Sequence, residues 1–356
     1  MPAMNMIKTA MALVAAGAFA LTACSSSEPD RGAEDVAPDS APARGGVPTG
    51  DLESFSFLNV NTQQGVQSAG KQWGTAEVPV ALGFIGAVQG CAPGFVYWSG
   101  TEYDVIPLDD RVAAMVSDLQ ATSGEAVAFG FGGENGGTIE DACPSVDDLT
   151  ELYGGIAKDF PDVKTWLFDL EGAGEDVTKQ KTRMAAINNV LGDNPNLEIW
   201  LVLPVTAQGL DGTGEQLVDA AKQAGVPFKV DIMCQGFTPV PANMETACES
   251  ALEGTASYLE SELGISATQA YGMLGATLQI GKQPNADPAV TTDDARNLQR
   301  FATEKGLAGV IPWSLNQDVA PNGQAVTQQF PWAWNYNTGQ TSDFEFAKIA
   351  NNQDPS

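Results

Sequence analysis

With 356 residues, 43% of them hydrophobic and 17% charged, the chain can bury one large core or two average ones, which excludes global disorder. A net charge of −28 makes nucleic acid and anionic lipid poor electrostatic partners; it suits a neutral or cationic ligand, or a solvated surface outside the cell. The absence of histidine excludes Ser-His-Asp and Cys-His mechanisms and His-ligated zinc, so carboxylates are the plentiful acid–base groups.

At the start of the chain, Lys8 precedes the apolar run Thr9 to Ala20, long enough for a signal-peptide core and too short to span a membrane. Residues 1–23 are therefore expected to be removed on export. The run ends in Leu21-Thr22-Ala23-Cys24, a lipobox-like sequence in which Cys24 is the predicted lipidation site; a plain secretory signal with an incidental cysteine is the alternative. Residues 24–52 are rich in Ser, Pro, Ala, Gly, Asp and Glu and read as a flexible acidic tether. The expected product is an extracellular lipoprotein, held to a membrane by acyl chains alone, whose residues 53–356 form the folded part.

Beyond Cys24 lie Cys91, Cys143, Cys234 and Cys248, an even number suited to two disulfides in an oxidising compartment. Three connectivities are open; Cys234 with Cys248 closes a short local loop and leaves Cys91 with Cys143. A four-thiolate metal site lacks the close cysteine pairs it needs, and no metal or organic cofactor is expected.

Along the remainder, short β-rich runs at 78–85, 126–131, 163–170, 197–205, 229–237, 272–280 and 309–315 alternate with helix-patterned stretches at 108–121, 146–158, 176–191, 214–224, 244–263 and 292–305. Repeated strand-then-helix order implies parallel strands, and seven or eight such units predict an α/β fold of the (β/α)8 TIM-barrel type. No glycine-rich phosphate fingerprint follows the first run, which weakens an open nucleotide-binding sheet.

Barrel chemistry sits at the C-terminal ends of strands. There, Lys164-Thr165-Trp166-Leu167-Phe168-Asp169-Leu170-Glu171-Gly172 places Asp169 and Glu171 two residues apart, so strand alternation turns both to one face. Facing inward, such a pair is costly unless it shares a proton, which readies one member as an acid. Further blocks follow the same order: Phe129-Gly130-Phe131-Gly132-Gly133, Leu203-Pro204-Val205, Val230-Asp231-Ile232-Met233, Gly275 to Gly281 and Trp313-Ser314-Leu315-Asn316-Gln317-Asp318.

From Val78 to Asp318 this succession resembles the chitinase-like family 18 glycoside hydrolases, the secreted actinobacterial chitinases in particular. The resemblance implies a retaining reaction in which the substrate supplies its own nucleophile. Glu171 matches the general acid. Asp169 matches the residue that turns the 2-acetamido group, and Trp313 the tryptophan beneath the reacting sugar. Gly132, Gly133, Met233, Gln235, Phe237, Thr277 and Gln279 fall on positions lining the cleft. The implied partner is an N-acetylglucosamine-containing oligo- or polysaccharide bound by a monomer.

Several positions depart from the family pattern. Its first two motif aspartates fall on Lys164 and Leu167, its Met-Asp-Tyr on Gln235-Gly236-Phe237, its third-strand serine on Gly130 and an arginine near Trp313 on Gln317. Two other functions therefore stand beside hydrolysis of β-1,4-linked N-acetylglucosamine: a non-catalytic surface glycan-binding protein and an endo-β-N-acetylglucosaminidase. Tyr97 and Trp98, and Trp332, Trp334 and Tyr336, are further aromatic residues for subsites or packing.

Overall fold

The computed structural model describes residues 54–60, 73–88, 90–123, 126–134, 138–283, 287–320 and 338–353. The predicted signal peptide, Cys24, the tether, Trp332, Trp334 and Tyr336 lie outside the described residues. Parallel strands β1 (Ser56–Asn59), β2 (Val80–Gly86), β5 (Val127–Gly132), β6 (Thr165–Asp169), β7 (Glu198–Pro204), β8 (Lys229–Cys234), β9 (Leu274–Gln279) and β10 (Gly309–Trp313) follow one another in space. The seam between first and last is made by side chains. The Val310 N–H donates to Ser54 Oγ at 3.1 Å, and Asn316 accepts from the Asn59 N–H at 2.8 Å and donates to the Asn59 carbonyl at 3.2 Å. The result is the (β/α)8 barrel that the alternating order predicts.

Strand alternation divides the apolar residues into two layers. Phe57, Ala81, Ala128, Leu167, Trp200, Val202, Met233 and Ile311 pack inside the barrel. Trp166, Phe168 and Leu170 alternate with Leu167 and Asp169 along the same segment and join the outer layer, under the helices. These include α1 (Asp110–Ser123), α2 (Ile139–Ala142), α3 (Val146–Asp159), α4 (Val177–Asp193), α5 (Gly212–Gln223) and α6 (Met244–Leu263), then α7 (Ala267–Gly272), α8 (Thr292–Lys305) and α9 (Glu345–Ala350). Ser145, Asp176, Asp211, Asn243 and Thr291 cap their starts by accepting backbone N–H groups, as short polar side chains do at this position.

Three features differ from the sequence expectation. Strand β1 is too short to show periodicity. Gly94–Trp98 (β3) and Tyr103–Pro107 (β4) form an antiparallel hairpin attached to the end of β2, so Tyr97 and Trp98 stand on an insertion and not on the barrel. The run predicted as one strand over 229–237 leaves the sheet after Cys234, because the Gln235 N–H turns back to the Met233 carbonyl at 2.9 Å and Gly236 takes a φ of 67°. Both disulfides form as the local-loop pairing expects, Cys91 with Cys143 and Cys234 with Cys248. The second ties the end of β8 to α6 beside the barrel's C-terminal opening.

Candidate active site

Asp169 ends β6 and is 4% exposed; Glu171 lies two residues on and is half-buried. Leu170 continues the ladder, its N–H donating to the Val202 carbonyl at 2.9 Å, which keeps the strand extended far enough for both carboxyls to face the opening. Their side chains share a hydrogen bond. Burial first, then the charge of Glu171 and the bond to it, push the Asp169 carboxyl well above the usual carboxylate range. Glu171 is also raised, by burial above all and by nearby Glu134 and Glu175, while its hydrogen bond with Asp169 pulls it the other way. Both carboxyls are therefore biased towards their protonated forms, Asp169 the more strongly.

The end of β5 shapes the floor beneath this pair. Gly132 has a φ of 95°, and a Cβ there would lie 2.2 Å from the Asp169 carbonyl oxygen. Gly133, at a φ of 82°, donates its N–H to that same oxygen at 3.1 Å, and a Cβ on it would meet the Phe84 ring at 2.6 Å. These two predicted site residues thus hold the acid-bearing strand by close backbone approach.

Trp313 stands at the end of β10 and stacks on Phe84 of β2, with centroids 5.5 Å apart and planes 15° from parallel. Phe57 of β1 meets both rings, at 5.4 Å and 5.5 Å. The three form an aromatic floor across the seam, and half-buried Trp313 and Phe84 offer the flat apolar surface that the C–H face of a sugar fits. The sequence reading singles out Trp313 but not Phe57 or Phe84, since four-residue β1 is too short to show a period and Phe84 sits within an apolar run.

The remaining predicted positions separate. Met233 is in the interior, and Gln235 lies above it with Nε2 3.9 Å from the Met233 sulfur. The Gln235 Oε1 is buried without a hydrogen-bond partner, an acceptor left open beside the site. Gln279 ends β9 opposite Trp313. Thr277 is buried deeper, where its hydroxyl donates to Asp231 Oδ2 at 2.5 Å. Phe237 is not brought to the opening: it is 1% exposed, its ring lies in the outer apolar layer, and its N–H donates to Asp287 Oδ2 at 3.1 Å. Among the described residues no three Cys, Asp or Glu side chains are placed to hold a metal ion.

Behind β6, on its outer face, sits a second polar group that the sequence did not reveal. Arg183 of α4 donates to both Glu140 oxygens, Nε at 2.8 Å and Nη2 at 2.8 Å, and its Nη1 donates to Gln180 Oε1 at 2.6 Å. The Tyr153 hydroxyl adds a bond to Glu140 Oε1 at 3.3 Å, and the guanidinium lies 5.8 Å from the Phe168 ring centroid. The Arg183 charge and hydrogen bonds outweigh burial and hold Glu140 below its usual pKa. Fork-on-fork geometry fixes α2, α3 and α4 against Phe168, the residue before Asp169.

No family model matches the chain. It is 26% identical over 224 residues to the probable bifunctional chitinase/lysozyme of Escherichia coli (strain K12), covering 58% of this chain and 25% of that protein. It is 26% identical over 216 residues to endochitinase 11 of Metarhizium anisopliae, covering 55% of this chain and 41% of that protein. The chain thus spans less than half the length of these curated relatives. In fold it is similar to active domain 2 of a thermostable chitinase from Pyrococcus furiosus, solved as catalytic-site mutants complexed with chito-oligosaccharides. The TM-score is 0.68 at 20% identity, over 88% of this chain and 97% of that one. The barrel that carries Asp169, Glu171 and Trp313 therefore has the fold of chitinase catalytic domains.

Proposed function

We propose that the chain is a glycoside hydrolase that cleaves β-1,4-linked N-acetylglucosamine in chitin-type glycans with retention of configuration. The observation that carries this reading is the buried carboxyl pair Asp169–Glu171 at the end of β6, in a barrel whose last strand ends in Trp313 stacked on Phe84. The chito-oligosaccharide complexes of the Pyrococcus furiosus domain support the substrate class.

In the reaction, Glu171 gives its proton to the glycosidic oxygen as the bond from that oxygen to the anomeric carbon breaks. The carbonyl oxygen of the substrate's own 2-acetamido group bonds to the anomeric carbon from the opposite face. Asp169 turns the acetamido group and offsets the positive charge of the resulting ring. Water, deprotonated by Glu171, then opens that ring and restores the acetamide. Trp313 carries the reacting sugar. Turnover of chromogenic chitobioside and chitotrioside tests the proposal: Glu171→Gln lowers kcat by about 10²–10⁴-fold, and a wild-type rate no higher than this variant's rejects it.

Burial of Leu167 inside the barrel and rotation of Phe237 away from the opening favour a second reading, a surface protein that holds such glycans without cleaving them. Calorimetric binding of chito-oligosaccharides without product release distinguishes it. Release of the core from an N-glycosylated protein, with chitobiosides left intact, marks the endo-β-N-acetylglucosaminidase alternative. We further place the barrel outside the cell on acyl chains at Cys24. Replacement of Cys24 by Ser then moves the protein from the membrane fraction to the medium, and unchanged membrane retention counts against the anchor.

A further inference from the structure

Asp231 is the middle residue of β8 and is 0% exposed. Its level in the barrel is given by the registers: Asp169 pairs with Val202, Val202 with Asp231 and Asp231 with Gly275. Paired residues on parallel strands turn their side chains the same way, so Asp231 points into the interior at the height of Asp169, one strand removed. Gly275 makes room for it, since a Cβ there would lie 3.0 Å from Asp231 Oδ1 and 2.7 Å from the Trp200 ring.

Thr277 secures one oxygen of this carboxyl, its hydroxyl donating to Oδ2 at 2.5 Å. The other, Oδ1, is buried with no hydrogen-bond partner, and so is Asp169 Oδ1. Burial raises Asp231 to about 8 and leaves it neutral at pH 7, and the charge of Asp231 is in turn one of the influences that raise Asp169. The charged groups around this interior are Asp169 and Glu171 at the end of β6, Glu134 after β5 and Glu175 beyond Glu171. At the opposite end of β8 are Lys229 and its partner Glu198, 3.2 Å apart. Leu167, at a position where the resembled pattern has an aspartate, contributes no charge.

We propose that Asp231 is a positioning residue for the catalytic pair, a third interior acid that acts through Asp169 to hold Asp169 and Glu171 in their protonated forms. Below its own ionisation it is a neutral acid held by Thr277. Above it, the new negative charge makes loss of the pair's proton harder, so the acid form of the site persists to higher pH. No proton passes from Asp231 to substrate. The inference rests on the hydrolase reading for its catalytic consequence, and on the packing of β6, β8 and β9 for the coupling itself.

The test compares wild type with Asp231→Asn, which keeps the shape and the contact with Thr277 and cannot ionise. In the pH profile of kcat on chitobioside, the alkaline limb of the variant lies lower by about half a pH unit or more, as removal of a coupled charge requires. KM moves by less than about threefold, a split expected when ground-state sugar contacts are intact. Carbon-13 titration of the Asp169 and Glu171 carboxyls reads the same downward shift without any turnover. A limb and carboxyl titrations that coincide with wild type overturn the proposal, even where kcat or thermal stability has changed. If wild type does not turn over substrate, the hydrolase reading fails by itself, and the carboxyl titration alone decides whether Asp231 is coupled to the pair.

Discussion

The two faces of strand β6 carry opposite kinds of buried polarity. On the outer face, Glu140 meets Arg183 through two short hydrogen bonds, with Gln180 and Tyr153 engaging the remaining sites. On the inner side are Asp169 and, just beyond the strand, Glu171, with Asp231 of β8 at the same level, and no cation is among the main influences on their ionisation. Arg183 holds Glu140 below its ordinary pKa in spite of burial, whereas the inner acids, buried with no cation to offset it, are raised. A matched buried charge braces the fold, while buried carboxyls left without a cation bind protons more tightly, as a proton donor requires.

Breaking the match should have the largest effect. Arg183→Met leaves Glu140 buried beside Tyr153 without a cation, and should lower unfolding free energy by about 3–5 kcal/mol in urea titration. A loss below about 1 kcal/mol would show that water or a rearranged side chain takes over the pairing.

A smaller effect sharpens the comparison through pH. Asp231 at about 8, Asp318 at about 7 and Asp169 well above its ordinary value all bind protons more tightly folded than unfolded. Their contribution to stability is complete below pH of about 4 and is lost as pH rises through the folded values, on the order of a few kcal/mol by pH 8. Glu140 behaves in the opposite sense: its lowered pKa contributes above its unfolded value and fades as pH falls through the folded one. Thermal melts should therefore show Asp231→Asn gaining on wild type between pH 5 and 8, and a gap that does not widen over that range would contradict the assignment.

Much of this was legible in the sequence, for physical reasons that can be stated residue by residue. The barrel could be read because each strand-and-helix unit repeats its own periodicity, and Asp169 and Glu171 because two acids at the end of an apolar strand conflict with burial. The same alternation points to Asp231, two residues before Met233, yet a single acid in a strand looks like any edge position until its neighbours are known. Phe237, expected along the cleft, lies in the outer layer because the chain turns at Gly236 before reaching it. The Arg183–Glu140 pair spans 43 positions and three helices, a distance over which no local pattern operates. Hairpin β3–β4 escaped because its polar and aromatic residues pair with each other and with the end of β2, not with a helix.

The aromatic floor joins strands from the two ends of the folded domain, Phe57 and Phe84 from its first part and Trp313 from its last. During synthesis the acid-bearing strand leaves the ribosome well ahead of Trp313, so a nascent chain carries Asp169 and Glu171 before the floor can be completed. The aromatic floor is thus withheld from every partial product until the two ends of the domain meet, and a chain cut between Glu171 and Trp313 keeps both acids but lacks that surface.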